Sequence, residues 1–260
     1  HAIDPGWGND PQHTAAPGVR AGDTLWLSGF IGHEEVDGKP HFPQDTARQM
    51  ELSYQAIGQV LKAAGAQPGD IVNSIDFIAP RALLQYRNTA ATRKEFYGGQ
   101  YPAATGILMN RLLDPEAHVE VETVAVTGQG RQEIRIPEWD KRYERLTYRP
   151  GIKKGRLLYI AGMTAMDPAT GRSVGGDDVL AQADRAYENI ARVLAAGGYS
   201  MDDVVNTVEW VAPRGITGYR QIAEVRRKHF GDSFPTASGV QVYDLLRPEL
   251  LIEVTAVAVV

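Results

Sequence analysis

The sequence predicts an α+β protein made of two tandem copies of one domain, each a mixed β-sheet with two helices packed on one face. Two observations predict it. First, sliding the 260-residue sequence along itself by 133 positions (150 − 17 = 133) lays residues 17–127 on residues 150–260 without a gap. Gly29 then falls on Gly162, Gln49 on Gln182 and Tyr54 on Tyr187. "APR" at 79–81 falls on "APR" at 212–214, "LLDPE" at 112–116 on "LLRPE" at 245–249, and Glu120 on Glu253. Second, the hydrophobic period switches between two and 3.6 in the same order within each copy, as it must where strands and helices alternate.

The elements follow in order. Residues 24–32, "TLWLSGFIG", alternate and carry strand formers, and "DGKP" at 37–40 is turn chemistry. From 45 to 64, Met50, Tyr54, Ile57 and Leu61 recur at helical spacing, with Gly65 at the stop. Residues 71–80 read as a strand and 83–97 as a second helix closed by Gly98 and Gly99. Residues 104–113 and 118–126 finish the copy as two strands. Residues 128–149 form a charged link that includes the first strand of the second copy. Residues 1–16 are at most an ordered arm. The domains are therefore expected at 1–132 and 133–260.

Composition narrows the function. The chain is 43% hydrophobic and 23% charged, an ordinary globular balance. A formal charge of −5 argues against nucleic acid or an anionic membrane as partner. No apolar run approaches the ~18 residues of a membrane-spanning helix. The absence of cysteine excludes disulfides and thiolate chemistry. It fits the cytoplasm, with the periplasm also open, and the first residue, His1, leaves room for a lost tag or targeting segment. The six histidines show no metal-ligand spacing, so no metal is expected. No phosphate- or dinucleotide-binding glycine motif appears either.

In this order, "GDTLWLSGFIG", the 49–65 helix ending "VLKAAG", "DIVNSIDFIAP", the 86–96 helix and "HVEVETVAV" resemble the Rid/YjgF family. The second copy, from "GRLLYIAGM" to "LLIEVTAVAV", resembles it equally. The resemblance implies a chorismate-mutase-like α+β fold, assembly as a homo-oligomer with a trimer favoured, and clefts between neighbouring domains. It also implies cofactor-free hydrolysis of 2-imino or enamino acids, with an arginine after "PA" gripping the substrate carboxylate. Here Ala104 and Ala237 stand in that place. Alanine cannot replace a charge-assisted fork, so the resemblance leaves a neutral substrate or a different cation.

Glu120 and Glu253 occupy the family's proton-handling position, and apolar neighbours should raise their pKa and suit them to general acid–base work. Alternation also puts Glu122 on the face of Glu120, but its counterpart is Thr255. Arg81 and Arg214 are candidates for the missing cation, against a simpler role in local pairing. Arg87, Arg93, Arg220 and Arg226 read as a solvated or interface face. Gly29 and Gly162 fall at the family's cleft floor, or else mark β-bulges. Thr105 and Ser238 offer hydroxyls beside the missing arginine, unless small residues are needed where strands cross. Arg111 and Tyr243 belong to the stretches where the copies diverge, as do His33 and His118; the divergence makes two chemically distinct clefts or, the reading favoured for both histidines, is drift on exposed turns. The leading function is a Rid-type hydrolase of a small imine or enamine. The alternatives are C–O or C–N cleavage or tautomerisation of a neutral cyclic substrate, and non-catalytic ligand binding.

Overall fold

A computed structural model of the chain describes residues 1–8 and 14–260, so part of the expected arm, with His13, lies outside the described residues. The chain divides into two compact units. The first comprises residues 1–102 and 111–129, the second residues 103–110 and 130–260.

In the first unit β1 (Gly18–Ala21), β2 (Thr24–Ile31), the hairpin β3 (Glu34–Val36) and β4 (Lys39–His41), α1 (Thr46–Ala63) and β5 (Ile71–Ile78) follow in order. Then come α2 (Leu83–Tyr86), α3 (Ala90–Tyr97) and, after β6 (Ala103–Leu108) of the second unit, β7 (Val119–Val126). Its strands lie in the order β1-β2-β7-β5, all antiparallel. Asp45 caps α1 by accepting the Ala47 N–H at 2.8 Å, a contact of about 1 kcal/mol. Met50, Tyr54, Ile57 and Leu61 form the buried stripe that lays α1 on β2 and β7. Each buried side chain of this size contributes about 1.5–3 kcal/mol.

The second unit repeats the plan. It contains β6, β8 (Gln132–Glu133), α4 (Pro137–Tyr143), β9 (Gly151–Lys154), β10 (Leu157–Thr164) and α5 (Val179–Gly197). β11 (Val204–Val211), α6 (Ile216–Tyr219), α7 (Ile222–Phe230), β12 (Thr236–Gln241) and β13 (Ile252–Val259) complete it. One sheet runs β12-β11-β13-β10-β9-β8, mixed because β11 and β12 are parallel while the other pairs are antiparallel. Asp178 caps α5, and Gly198 at φ 79° ends it in the left-handed region where glycine carries no Cβ penalty.

Three expectations need correcting. The single helix at 83–97 is interrupted: residues 87–89 form a tighter turn, and the Thr89 hydroxyl donates to the Tyr86 carbonyl in competition with the helical ladder. The link at 128–149 carries the helix α4, and the strand matching β1 begins only at Gly151. The arginines of the second helices are not a uniform solvated face. Arg93 is buried on Asp76 at 2.8 Å, with the Tyr86 phenol on the same carboxylate at 2.6 Å. In the second unit Arg226, Tyr187 and Tyr219 all donate to the fully buried Glu209. A buried carboxylate needs such partners, which is why an arginine and a tyrosine recur at these positions in both copies. Arg87 and Arg220 are exposed.

Candidate active site

The second unit assembles its site around a β-bulge. The register of β10 on β13 shifts between Ile160 and Met163, and Gly162 lies in the shift. Glu253, paired with Thr164 on one side and Trp210 on the other, lays its carboxylate over Gly162. A Cβ at 162 would collide with Glu253 Oε1, so glycine is what lets the carboxylate lie there. The Gly162 N–H donates to Thr105 Oγ1 of β6 at 2.9 Å. Glu253 is only 8% exposed, and no described residue hydrogen-bonds or ion-pairs with its carboxylate. Burial pushes its pKa from 4.5 up to about 8, so the carboxyl is mostly protonated at pH 7.

The link between the copies, part of the second unit, adds two phenols within electrostatic reach of Glu253. Trp139 of α4 is buried under the Arg192 guanidinium, 4.8 Å from the ring. Arg149 then gathers the turn: it donates to the carbonyls of Tyr143, Leu146 and Tyr148 and to Glu133. This sets Tyr143 and Tyr148 edge to face at 5.6 Å. Burial raises the pKa of both phenols, and the Glu253 charge adds to it, so both stay protonated hydrogen-bond donors. The Tyr148 phenol lies within electrostatic reach of Arg142 and Arg247. The sequence analysis did not single out Tyr143, Tyr148, Arg142 or Arg247. The available signal was two tyrosines within an otherwise charged link.

The first unit repeats the device in a wetter setting. β2 shifts register on β7 between Leu27 and Phe30, and Glu120 lies over Gly29 there. Glu120 is half-buried, and burial raises its pKa. Both glycines therefore sit in bulges and make room for a carboxylate, so the two readings of these positions describe one feature.

The remaining candidates are dispersed. Arg81 is exposed, and its charge together with burial lowers the His118 pKa. His118 itself is buried against Thr46 Oγ1 at 2.8 Å rather than drifting on an exposed turn; its counterpart, Leu251, keeps the site apolar. Arg214 donates to the Pro248 carbonyl and lies 4.0 Å from Asp244. Arg111 is exposed. Ser238 is exposed on β12, whereas Thr105, its counterpart on β6, is 3% exposed. Tyr243 is half exposed, and its N–H donates to the Leu108 carbonyl at 2.9 Å. Glu253, Gly162 and Thr105 thus come together, as do Glu120 and Gly29; Arg81, Arg111, Arg214, Ser238 and Tyr243 join neither group. Among the described residues no cluster of three or more His, Asp or Glu side chains is placed to hold a metal, and no helix is long and apolar enough to cross a membrane.

A duplicated α+β domain with a carboxylate laid on a bulge glycine in each copy is the class these features define. The chain belongs to the Rid/YjgF family: the family model Ribonuc_L-PSP, described as endoribonuclease L-PSP, matches residues 10–127 and again 142–260. A RutC family protein of Pyrococcus horikoshii is 36% identical over 111 residues, 43% of this chain and 85% of that protein. Human 2-iminobutanoate/2-iminopropanoate deaminase is 31% identical over 112 residues, covering 43% of this chain and 79% of its own. A solved Mycobacterium tuberculosis member of the YjgF/YER057c/UK114 family is 30% identical, with a TM-score of 0.41, over 50% of this chain and all of that one.

Proposed function

We propose that the second unit is a cofactor-free hydrolase of small imines or enamines, with Glu253 as the proton-transfer group. The observation that carries this reading is the desolvated, unpaired Glu253 carboxyl lying over Gly162. At neutral pH the protonated carboxyl donates to the imine nitrogen. The carboxylate so formed takes a proton from the attacking water as the C–O bond forms. In the tetrahedral carbinolamine the reprotonated Glu253 gives its proton to the amine nitrogen, the C–N bond breaks and ammonia leaves. The Glu253 carboxylate takes the hydroxyl proton as the carbonyl forms, which restores the carboxylic acid. The Tyr143 and Tyr148 phenols supply neutral donors near the developing charge. The relative named as a 2-iminobutanoate/2-iminopropanoate deaminase supports the reaction class.

The protein also acts as a homo-oligomer, with a trimer favoured. β6 is largely buried along its length, whereas β12, its counterpart, is exposed along almost all of its own. The exposed face of β12 is therefore matched to a second copy of this chain.

The test is release of ammonia and 2-oxo acid from imino acids generated in situ. Wild type should turn over, and Glu253→Gln should lose about 10²-fold or more, the usual range for removing a general acid–base group. Glu120→Gln should stay within about threefold of wild type. Equal activity in wild type and Glu253→Gln would falsify the assignment.

A further inference from the structure

We propose that the groove between α1 and α3 of the first unit binds a small primary alkylammonium ion. None of the groove residues belongs to either glutamate–glycine pair, so binding here is independent of imine hydrolysis.

A cavity of about 300 Å³ opens between the two helices, at the lower end of the range for small-ligand sites. Tyr54 and Phe96 line it as a stacked pair, with ring centroids 4.3 Å apart and planes within 5° of parallel. Glu51 of α1 and Glu95 of α3 line it too, and Thr92 lies one turn before Glu95 on the same helix face. Carboxylates beside an aromatic pair suit a cation on an apolar stem. The rings cover the stem and favour the charge, while the carboxylates accept the N–H groups.

The charges at this groove are unequal. Arg48 is divided between Glu34 at 2.7 Å and Glu51 at 2.8 Å, and Gln55 donates to Glu51 Oε1 at 3.1 Å. Among the described residues nothing forms an ion pair or hydrogen bond with the Glu95 carboxylate. Arg48 is thus occupied by two carboxylates, and Glu95 is left without a cation.

The second copy shows what such a groove takes. At the shifted register Glu51 becomes Asp184, Tyr54 becomes Tyr187, Glu95 becomes Lys228 and Phe96 becomes His229. The ring pair persists, with Tyr187 and His229 stacked at 5.4 Å. The Lys228 ammonium donates to both Asp184 oxygens at 2.6 Å, and His229 Nε2 lies 2.8 Å from one of them. Here the chain places its own alkylammonium on the carboxylate beside the rings. In the first copy a second carboxylate replaces that lysine, so the cation has to come from solution.

Gly58 keeps the first groove open. It lies inside α1, where glycine is less favourable than alanine, and its counterpart is Ala191. A Cβ at 58 would come no closer to Phe96 than an ordinary contact of 3.7 Å, so packing does not require the glycine. The space left by its missing side chain belongs to the cavity.

The experiment is titration of the full chain with butylammonium chloride, and with n-butanol as its neutral match, followed through the NMR signals of the Thr92 methyl and the Phe96 ring. Wild type, Glu51→Gln, Glu95→Gln and Glu95→Lys are compared. Wild type should bind butylammonium and not respond to n-butanol at the same concentrations. Each Gln variant should bind about threefold to fivefold more weakly, the range for one partly exposed charge pair. Glu95→Lys supplies the cation from the chain, as Lys228 does, and should abolish binding. Equal binding of butylammonium by wild type and Glu95→Lys, an equal response to n-butanol, or no shift at Thr92 and Phe96 in wild type overturns the proposal.

Discussion

Glu120 and Glu253 occupy equivalent places in two copies of one domain, yet they are chemically different groups. Both lie over a glycine in a β-bulge. Glu120 remains half in water, whereas Glu253 is buried and holds its proton up to about pH 8. The repeat supplies the strand, the bulge and the carboxylate. The second unit also holds α4, with Tyr143 and Tyr148, phenols within electrostatic reach of Glu253 that lie outside the register the copies share. Duplication thus preserves the scaffold, while the depth of burial turns one of the two carboxylates into an acid.

The pH dependence of stability is the largest effect that can break this contrast. Below pH 4.5 Glu253 is protonated whether the chain is folded or not. Between pH 4.5 and about 8 the unfolded chain releases the proton while the folded one keeps it. Unfolding is therefore favoured as pH rises, and the loss is complete above pH 8. The contribution is on the order of 5 kcal/mol. In urea titrations, wild type should lose this stability relative to Glu253→Gln across that window. Glu120→Gln should change the slope much less, because the Glu120 shift is smaller and its side chain is partly solvated. Equal slopes for the two variants would mean that the two carboxyls share one environment.

Adding a single methyl group sharpens the contrast next. In Gly162→Ala the new Cβ meets the Glu253 carboxyl, which has no open water to turn into. A cost of about 1–3 kcal/mol is expected, with loss of turnover. Gly29→Ala makes the same collision with Glu120, but that side chain can swing toward solvent. It should cost under about 1 kcal/mol and leave turnover intact. Thermal denaturation and the ammonia assay read both effects.

The duplication, the strand and helix order and the pairing of Gly with Glu in each copy were legible because they follow period and internal register. The environment of each carboxylate was not. Position on a strand does not reveal how deeply the rest of the fold will bury it, and Tyr143 and Tyr148 lie outside the 17–127 and 150–260 stretches that the copies share. Much of what the copies share is explained by structure. Gln49 donates to the Pro43 and Glu116 carbonyls and accepts the His118 N–H, and Gln182 does the same with Gly176, Glu249 and Leu251. That clamp accounts for the shared "PE" loops without any appeal to catalysis. Tyr86 and Arg93, like Tyr219 and Arg226, are held by buried carboxylates. Persistence between copies marked the buried polar contacts at least as well as the active site.

The smallest expected effect concerns Thr105 and Ser238, equivalent hydroxyls in opposite settings. Thr105 is buried and accepts the Gly162 N–H, so Thr105→Ala leaves that donor without its acceptor. A loss of about 1–2 kcal/mol in chain stability is expected, since the cost is the desolvation of an unpaired group. Ser238 is exposed on β12, and Ser238→Ala should alter the stability of the chain itself by less than about 0.5 kcal/mol. If a second copy covers β12, the Ser238 variant instead shifts the concentration at which the oligomer dissociates, as followed by light scattering on dilution. A Ser238→Ala protein that matched wild type in both measurements would leave β12 a true solvent edge, and the difference between β6 and β12 would then lie in the fold of one chain and not in its assembly.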